Sequence, residues 1–150
     1  MRPGLAIACA VAAALPFPEE ASARCLEVAT PTAARCFPLR SRFQLSWVHS
    51  VERTAWRETY HVRRGGILLV ASEFSSAGAG LPDTLRPGEI FRAGGGKMRI
   101  EHRRVPIPDL RIHLSPLSHH LLHIGRRTID LNSLFGDAVV SVAVRRGEHG

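Results

Sequence analysis

Residues 43–62 constrain the fold of this chain more than any other stretch: Phe43, Leu45 and Trp47 alternate with polar residues before a short polar break, and Trp56, Tyr60 and Val62 do so after it. This is the pattern of two antiparallel strands that bury one shared face. Pointing both apolar sets inward pairs odd-numbered residues with even-numbered ones. A connection over residues 52–55 then sets Val51 against Trp56, His49 against Glu58, Trp47 against Tyr60 and Leu45 against Val62. His49 and Glu58 interrupt the apolar pattern, and in this register they face each other about 5 Å apart at Cβ. An imidazole and a carboxylate so placed satisfy one another, which lowers the cost of two ionisable groups on an apolar face. Two uses of the pair stay open. It is a ligand site at the open end of the fold, with Ser50 and Glu52 on its rim, or a buried lock that fixes strand register.

Further short apolar segments occupy residues 25–29, 35–39, 67–74, 97–102, 110–114, 120–124, 128–131 and 138–144, with the hairpin strands at 42–50 and 56–62. Turn signals separate them: Gly65-Gly66, Pro82-Asp83, Pro87-Gly88, Gly94-Gly95-Gly96, Pro106, Pro108, Pro116, Gly125 and Gly136. Many closely spaced short strands predict an all-β chain, an antiparallel β-sandwich or partly open β-barrel. Residues 132–135 are the one expected helical turn, with Asp130 or Asn132 as its cap.

The first 23 residues have the composition of an export signal. Arg2 supplies the positive charge, residues 5–15 an uncharged apolar run, and Ala21-Ser22-Ala23 the small-x-small cleavage pattern. The run is too short to span a bilayer as a helix. Cleavage near Ala23 leaves residues 24–150 as a single β domain, expected in the periplasm. That domain keeps Cys25 and Cys36, an even pair that an oxidising compartment favours as a disulfide. The formal charge of +7 invites a nucleic-acid role. However, the arginines stand singly or in pairs, without a basic helix or an RNA-binding aromatic motif, so no nucleic acid is expected. Solvated surface charge, or weak attraction to anionic headgroups or an acidic partner, accounts for them.

No motif establishes a reaction, and no cofactor is expected. Ser50 adjoins His49, but successive strand residues point to opposite faces and cannot pair as nucleophile and base. No nucleophile elbow is present, and Glu52 with Glu58 is not a specific glycosidase signal. His113, His119, His120 and His123 lack the ligand spacing of a zinc site, so no metal is expected. Residues 74–82 form a small-residue loop in which Ser76, Gly78 and Gly80 bring backbone N–H groups within reach of a ligand. The phosphate-loop lysine is missing there. This loop and the His49/Glu58 end are where a pocket is expected.

The order His49-Ser50-Val51-Glu52, Trp56-x-Glu58-x-Tyr60, Phe74-x-Ser76-x-Gly78-Ala79-Gly80-x-Pro82 and Arg127-Thr128-Ile129-Asp130-Leu131 resembles the bacterial domain of unknown function 1850 family. Ala77 departs from it, since a bulkier residue is usual in that loop. The resemblance implies an exported accessory of solute uptake, because members are often encoded beside tripartite ATP-independent periplasmic transporters. Transporter membrane subunits, the solute receptor or a small solute are then the expected partners. It supplies no catalytic residues. A hydrolase using the His49/Glu58 region and a structural envelope protein with a basic surface are the competing expectations.

Overall fold

A computed structural model describes residues 24–51, 53–64, 66–75 and 84–146. The expected export signal, Glu52 and the loop residues Ser76, Gly78 and Gly80 lie outside the described residues. Alternation is realised as strands in chain order: β1 (Arg24–Ala29), β2 (Ala34–Leu39), β3 (Arg42–Val48), β4 (Ala55–Arg63), β5 (Gly66–Phe74), β6 (Ile90–Gly94), β7 (Lys97–Ile107), β8 (Leu110–Leu114), β9 (Leu121–Ile124), β10 (Arg127–Asp130) and, after helix α1 (Leu131–Phe135), β11 (Ala138–Arg146). They form a four-stranded sheet ordered β2-β1-β11-β8 and a seven-stranded sheet ordered β10-β9-β3-β4-β5-β7-β6. Every pairing is antiparallel. The chain is an all-β sandwich, as the spacing of its apolar segments predicts.

The core lies between the sheets. Leu26 and Val28 of β1, Val140 and Val142 of β11 and Leu114 of β8 meet Phe43, Leu45, Tyr60, Val62 and Leu122 from the large sheet. Helix α1 closes one side through buried Leu131. Its cap is Asp130, whose carboxylate accepts from the Ser133 backbone N–H at 3.0 Å and from Ser133 Oγ at 2.8 Å. Those bonds hold the Asp130 carboxyl below its ordinary range.

The β3–β4 register differs from the expected one. Trp47 pairs with Trp56, Leu45 with Glu58 and Phe43 with Tyr60. The connection spans residues 49–54, closed by His49 N–H to Thr54 O at 2.9 Å and Arg53 N–H to His49 O at 2.8 Å. Val51 is therefore 71% exposed instead of packed inside. Slipping one strand past another by an even number of residues preserves which face is buried, so alternation cannot distinguish the two registers. Ring stacking does. Phe43 and Tyr60 lie 4.9 Å apart and Trp47 and Trp56 5.9 Å apart, contacts that the expected register would separate.

Strand β6 was not expected, because all its residues are exposed and no alternation marks it. It pairs only with the first half of β7, from Gly94↔Lys97 to Ile90↔Glu101. Strand β7 also runs beyond the expected end at residue 102 and includes Pro106. The missing Pro106 N–H is tolerated because, among the described residues, this half of β7 pairs only with β5.

Cys25 and Cys36 form a disulfide between β1 and β2, with their Cα atoms 5.6 Å apart. It closes a short loop, so Cys36→Ser is expected to lower stability by about 2–3 kcal/mol. Thermal unfolding of the variant beside the wild type, each with and without reductant, measures this. Reductant should destabilise only the wild type.

Candidate functional site

On β4 the inward residues are Trp56, Glu58, Tyr60 and Val62, so a carboxyl interrupts the apolar face between two aromatic rings. Glu58 is half-buried and its pKa is raised. Burial is the main cause, opposed by a hydrogen bond from Tyr60, the charge of His102, and the nearby Trp56 and Ser72 side chains. The Tyr60 hydroxyl donates to Glu58 Oε2. Burial, followed by the adjacent carboxylate, raises the phenol's own pKa, which keeps it a donor. The Trp56 indole N–H favours the charged form of Glu58 without reaching hydrogen-bond geometry. Trp56 Nε1 is the one buried side-chain polar atom without a partner among the described residues.

Ser72 lies opposite Glu58 on β5 and is 4% exposed. Its Oγ is 2.8 Å from His102 Nε2, and His102 Nδ1 is 2.6 Å from Glu89 Oε1. Two irregularities bring His102 there. The β5–β7 register steps from Leu69↔Val105 to Ala71↔Glu101, and Arg104 adopts φ +51°. Bulges of this kind re-aim side chains and are common beside functional sites. Glu89 arrives from the turn before β6. Gly88 has φ +86°, and a Cβ there would lie 2.8 Å from Arg103 Cδ, so that turn requires glycine. Glu89 Oε2 also accepts the Arg86 N–H at 2.9 Å. The His102 contact, then the Arg86 bond, holds the Glu89 carboxyl below its ordinary range. Because the carboxylate accepts at Nδ1, Nδ1 carries a proton. In neutral His102, Nε2 then accepts from the Ser72 hydroxyl; in the cation, Nε2 donates to it.

Aromatic rings continue from this network to the end of the sandwich. Trp56 stacks on Phe74 at 4.9 Å and on Trp47 at 5.9 Å, and Trp47 stacks on His120 at 5.7 Å. His120 is 7% exposed, and burial lowers its pKa to about 4, so it is a neutral ring near pH 7. A cavity of about 300 Å³ adjoins the row, lined by Trp47, Trp56, Phe74, Arg57, Glu73 and Lys97.

Of the residues expected at a site, His49 shares the inner face but rests against Trp56 at 5.8 Å instead of facing Glu58. Ser50 lies in the exposed turn. The histidine-rich segment disperses. His113 meets exposed Asp137 at 3.1 Å, and His119 sits at φ +44°. His123 lies on the outer face between Ser46 Oγ at 2.7 Å and Thr128 Oγ1 at 3.1 Å, where burial and then Arg57 lower its pKa. Among the described residues no three His, Cys, Asp or Glu side chains converge to hold a metal.

Sequence reasoning missed Ser72, His102 and Glu89. Alternation carried a signal for two of them: Ser72 shares a strand face with Phe74, and His102 follows buried Ile100 by two residues. Nothing marked Glu89.

No curated protein and no solved structure matches the chain. A family model described as a domain of unknown function (DUF1850) matches residues 43–131. That span covers the hairpin, Ser72, Glu89, His102 and the aromatic row, and by it the chain belongs to the DUF1850 family.

Proposed function

We propose that this chain is an exported accessory protein of solute uptake, binding a small solute or a transporter component in the periplasm without chemical turnover. The family resemblance supports the link to a tripartite ATP-independent periplasmic transporter, and the composition of residues 1–23 supports export. The observation that carries the binding role is the raised-pKa Glu58 carboxyl enclosed beside stacked aromatic rings. A half-buried carboxyl costs stability, and residues kept at such a cost cluster at functional sites. Trp47, Trp56 and Phe74 also line a cavity of about 300 Å³, to which Arg57, Glu73 and Lys97 bring charge from the sheet face opposite Glu58, a setting that suits a small ligand with one apolar face.

Two measurements test this. In detergent, the tagged chain is expected to retain the transporter's membrane subunits or its solute receptor, with retention weakened about tenfold or more in Glu58→Gln. Retention of neither defeats the transporter link. The second is pH-dependent stability. The folded pKa of Glu58 lies above its unfolded value of 4.5. Its contribution to stability is therefore fully present below pH 4.5 and is lost as pH rises through the folded value. Glu58→Gln removes that loss, so the variant should gain on the wild type as pH rises above 4.5. Parallel melting curves for the two proteins would contradict it.

The Ser72–His102–Glu89 contacts favour a second reading, a hydrolase. Serine on Nε2 and a carboxylate on Nδ1 is the arrangement of nucleophile, base and orienting acid. Turnover of a nitrophenyl ester that disappears in Ser72→Ala, with folding intact, would select it over binding alone.

A further inference from the structure

Two of the arginine pairs, with Arg40 and Arg42, meet at one pole of the sandwich, opposite the aromatic row. Arg40 and Arg42 flank the β2–β3 turn, Arg63 and Arg64 close β4, and Arg126 lies in the β9–β10 turn with Arg127 opening β10. Register gathers these turns: Arg42 pairs with His61, and Gln44 pairs with His123 next to the β9 end. Two hollows of about 410 and 610 Å³ open there, and Ser41 and His61 line both. None of these six arginines pairs with a carboxylate among the described residues, whereas Arg92, Arg99, Arg111 and Arg145 each do. Like charges gathered without counter-charge repel one another and burden the fold, which an external anion relieves.

We infer that this pole docks on the phosphate groups of an anionic membrane surface. Two observations favour a membrane over a soluble anion. The guanidinium groups spread over three turns and two hollows instead of converging on one point. In addition, Arg24, the first residue of β1, lines the smaller hollow, and the apolar run of residues 5–15 precedes it in sequence. A leader of that composition enters the bilayer during export, so until cleavage near Ala23 it would hold the basic pole next to the membrane. Docked this way, the Glu58 network and the aromatic row face away from the lipid.

The test is sedimentation of the full chain with phosphatidylglycerol vesicles and with neutral phosphatidylcholine vesicles. The difference between the two cancels any contribution of the apolar run, which both accept. Binding to the anionic vesicles is expected to fall as salt rises. Each arginine at such a surface contributes about fivefold in partitioning, so Arg40→Gln/Arg63→Gln/Arg126→Gln should lose on the order of a hundredfold. A control with the same charge change, Arg35→Gln/Arg92→Gln/Arg111→Gln, should retain most of the binding. All six positions are exposed, and unchanged melting temperatures confirm folding. Equal losses in the two triples would reduce the effect to net charge and overturn the assignment. So would failure to bind the anionic vesicles at 0.15 M salt, or displacement by millimolar inorganic phosphate, which would mark a soluble-anion site.

Discussion

Phe43→Ala is expected to lower the free energy of unfolding by about 3–5 kcal/mol, the cost of emptying an aromatic site in a packed interior. The ring is 1% exposed and lies 4.9 Å from Tyr60, with the two planes 11° apart. The consequence extends beyond the core, because the Tyr60 hydroxyl holds the Glu58 carboxyl. Removing the ring beneath Tyr60 frees the phenol to tilt into the vacated space and loosens the donor that keeps Glu58 in place. Urea titration reads the stability change. Phe43→Leu keeps most of the volume and should cost less than about 1.5 kcal/mol. An alanine variant that unfolds within about 1 kcal/mol of the wild type would show that the two sheets close over the gap.

His102→Ala is expected to cost about 3 kcal/mol, because it strands Glu89, whose side chain is 5% exposed, without its partner. The figure sits at the low end for a broken buried pair, since Glu89 Oε2 keeps its bond from the Arg86 N–H. Two controls separate the causes. His102→Ala/Glu89→Ala should recover much of the loss, because the stranded charge is gone. The acid limb should change as well. The folded pKa of Glu89 lies below its unfolded value of 4.5, so its contribution is present above pH 4.5 and is lost as pH falls through the folded value. Without His102, the main cause of that depression, the loss on acidification should shrink. A double variant no more stable than the single one would mean that the imidazole acts chiefly by packing.

Period-two alternation was enough to locate nearly every strand, because each strand of a sandwich buries one face. It placed β8 at its observed bounds and β4 within a residue at either end. It could not locate β6, which buries no side chain, nor anticipate that β7 passes through Pro106. At the site, the anomaly at Glu58 was legible, since a carboxyl stood where an apolar residue belongs. Its partners were not. The imidazole of the network belongs to His102, brought in by a bulge between strands distant in sequence, and the expected His49 contact rested on one of two registers that bury the same strand faces. The basic pole was illegible for a related reason: Arg63-Arg64 and Arg126-Arg127 looked like ordinary solvated turns until the antiparallel connections stacked those turns together.

Among the described residues the short β6 pairs with only the first half of β7, and the residues along the remainder carry a meaning for solubility. An uncovered strand invites a stranger's backbone to add on, which is how native sheets grow into aggregates. Here that stretch holds Arg103, Arg104 at its left-handed kink, and Pro106. Charge, distortion and a missing donor each spoil the template, so this margin resists the addition of a further strand.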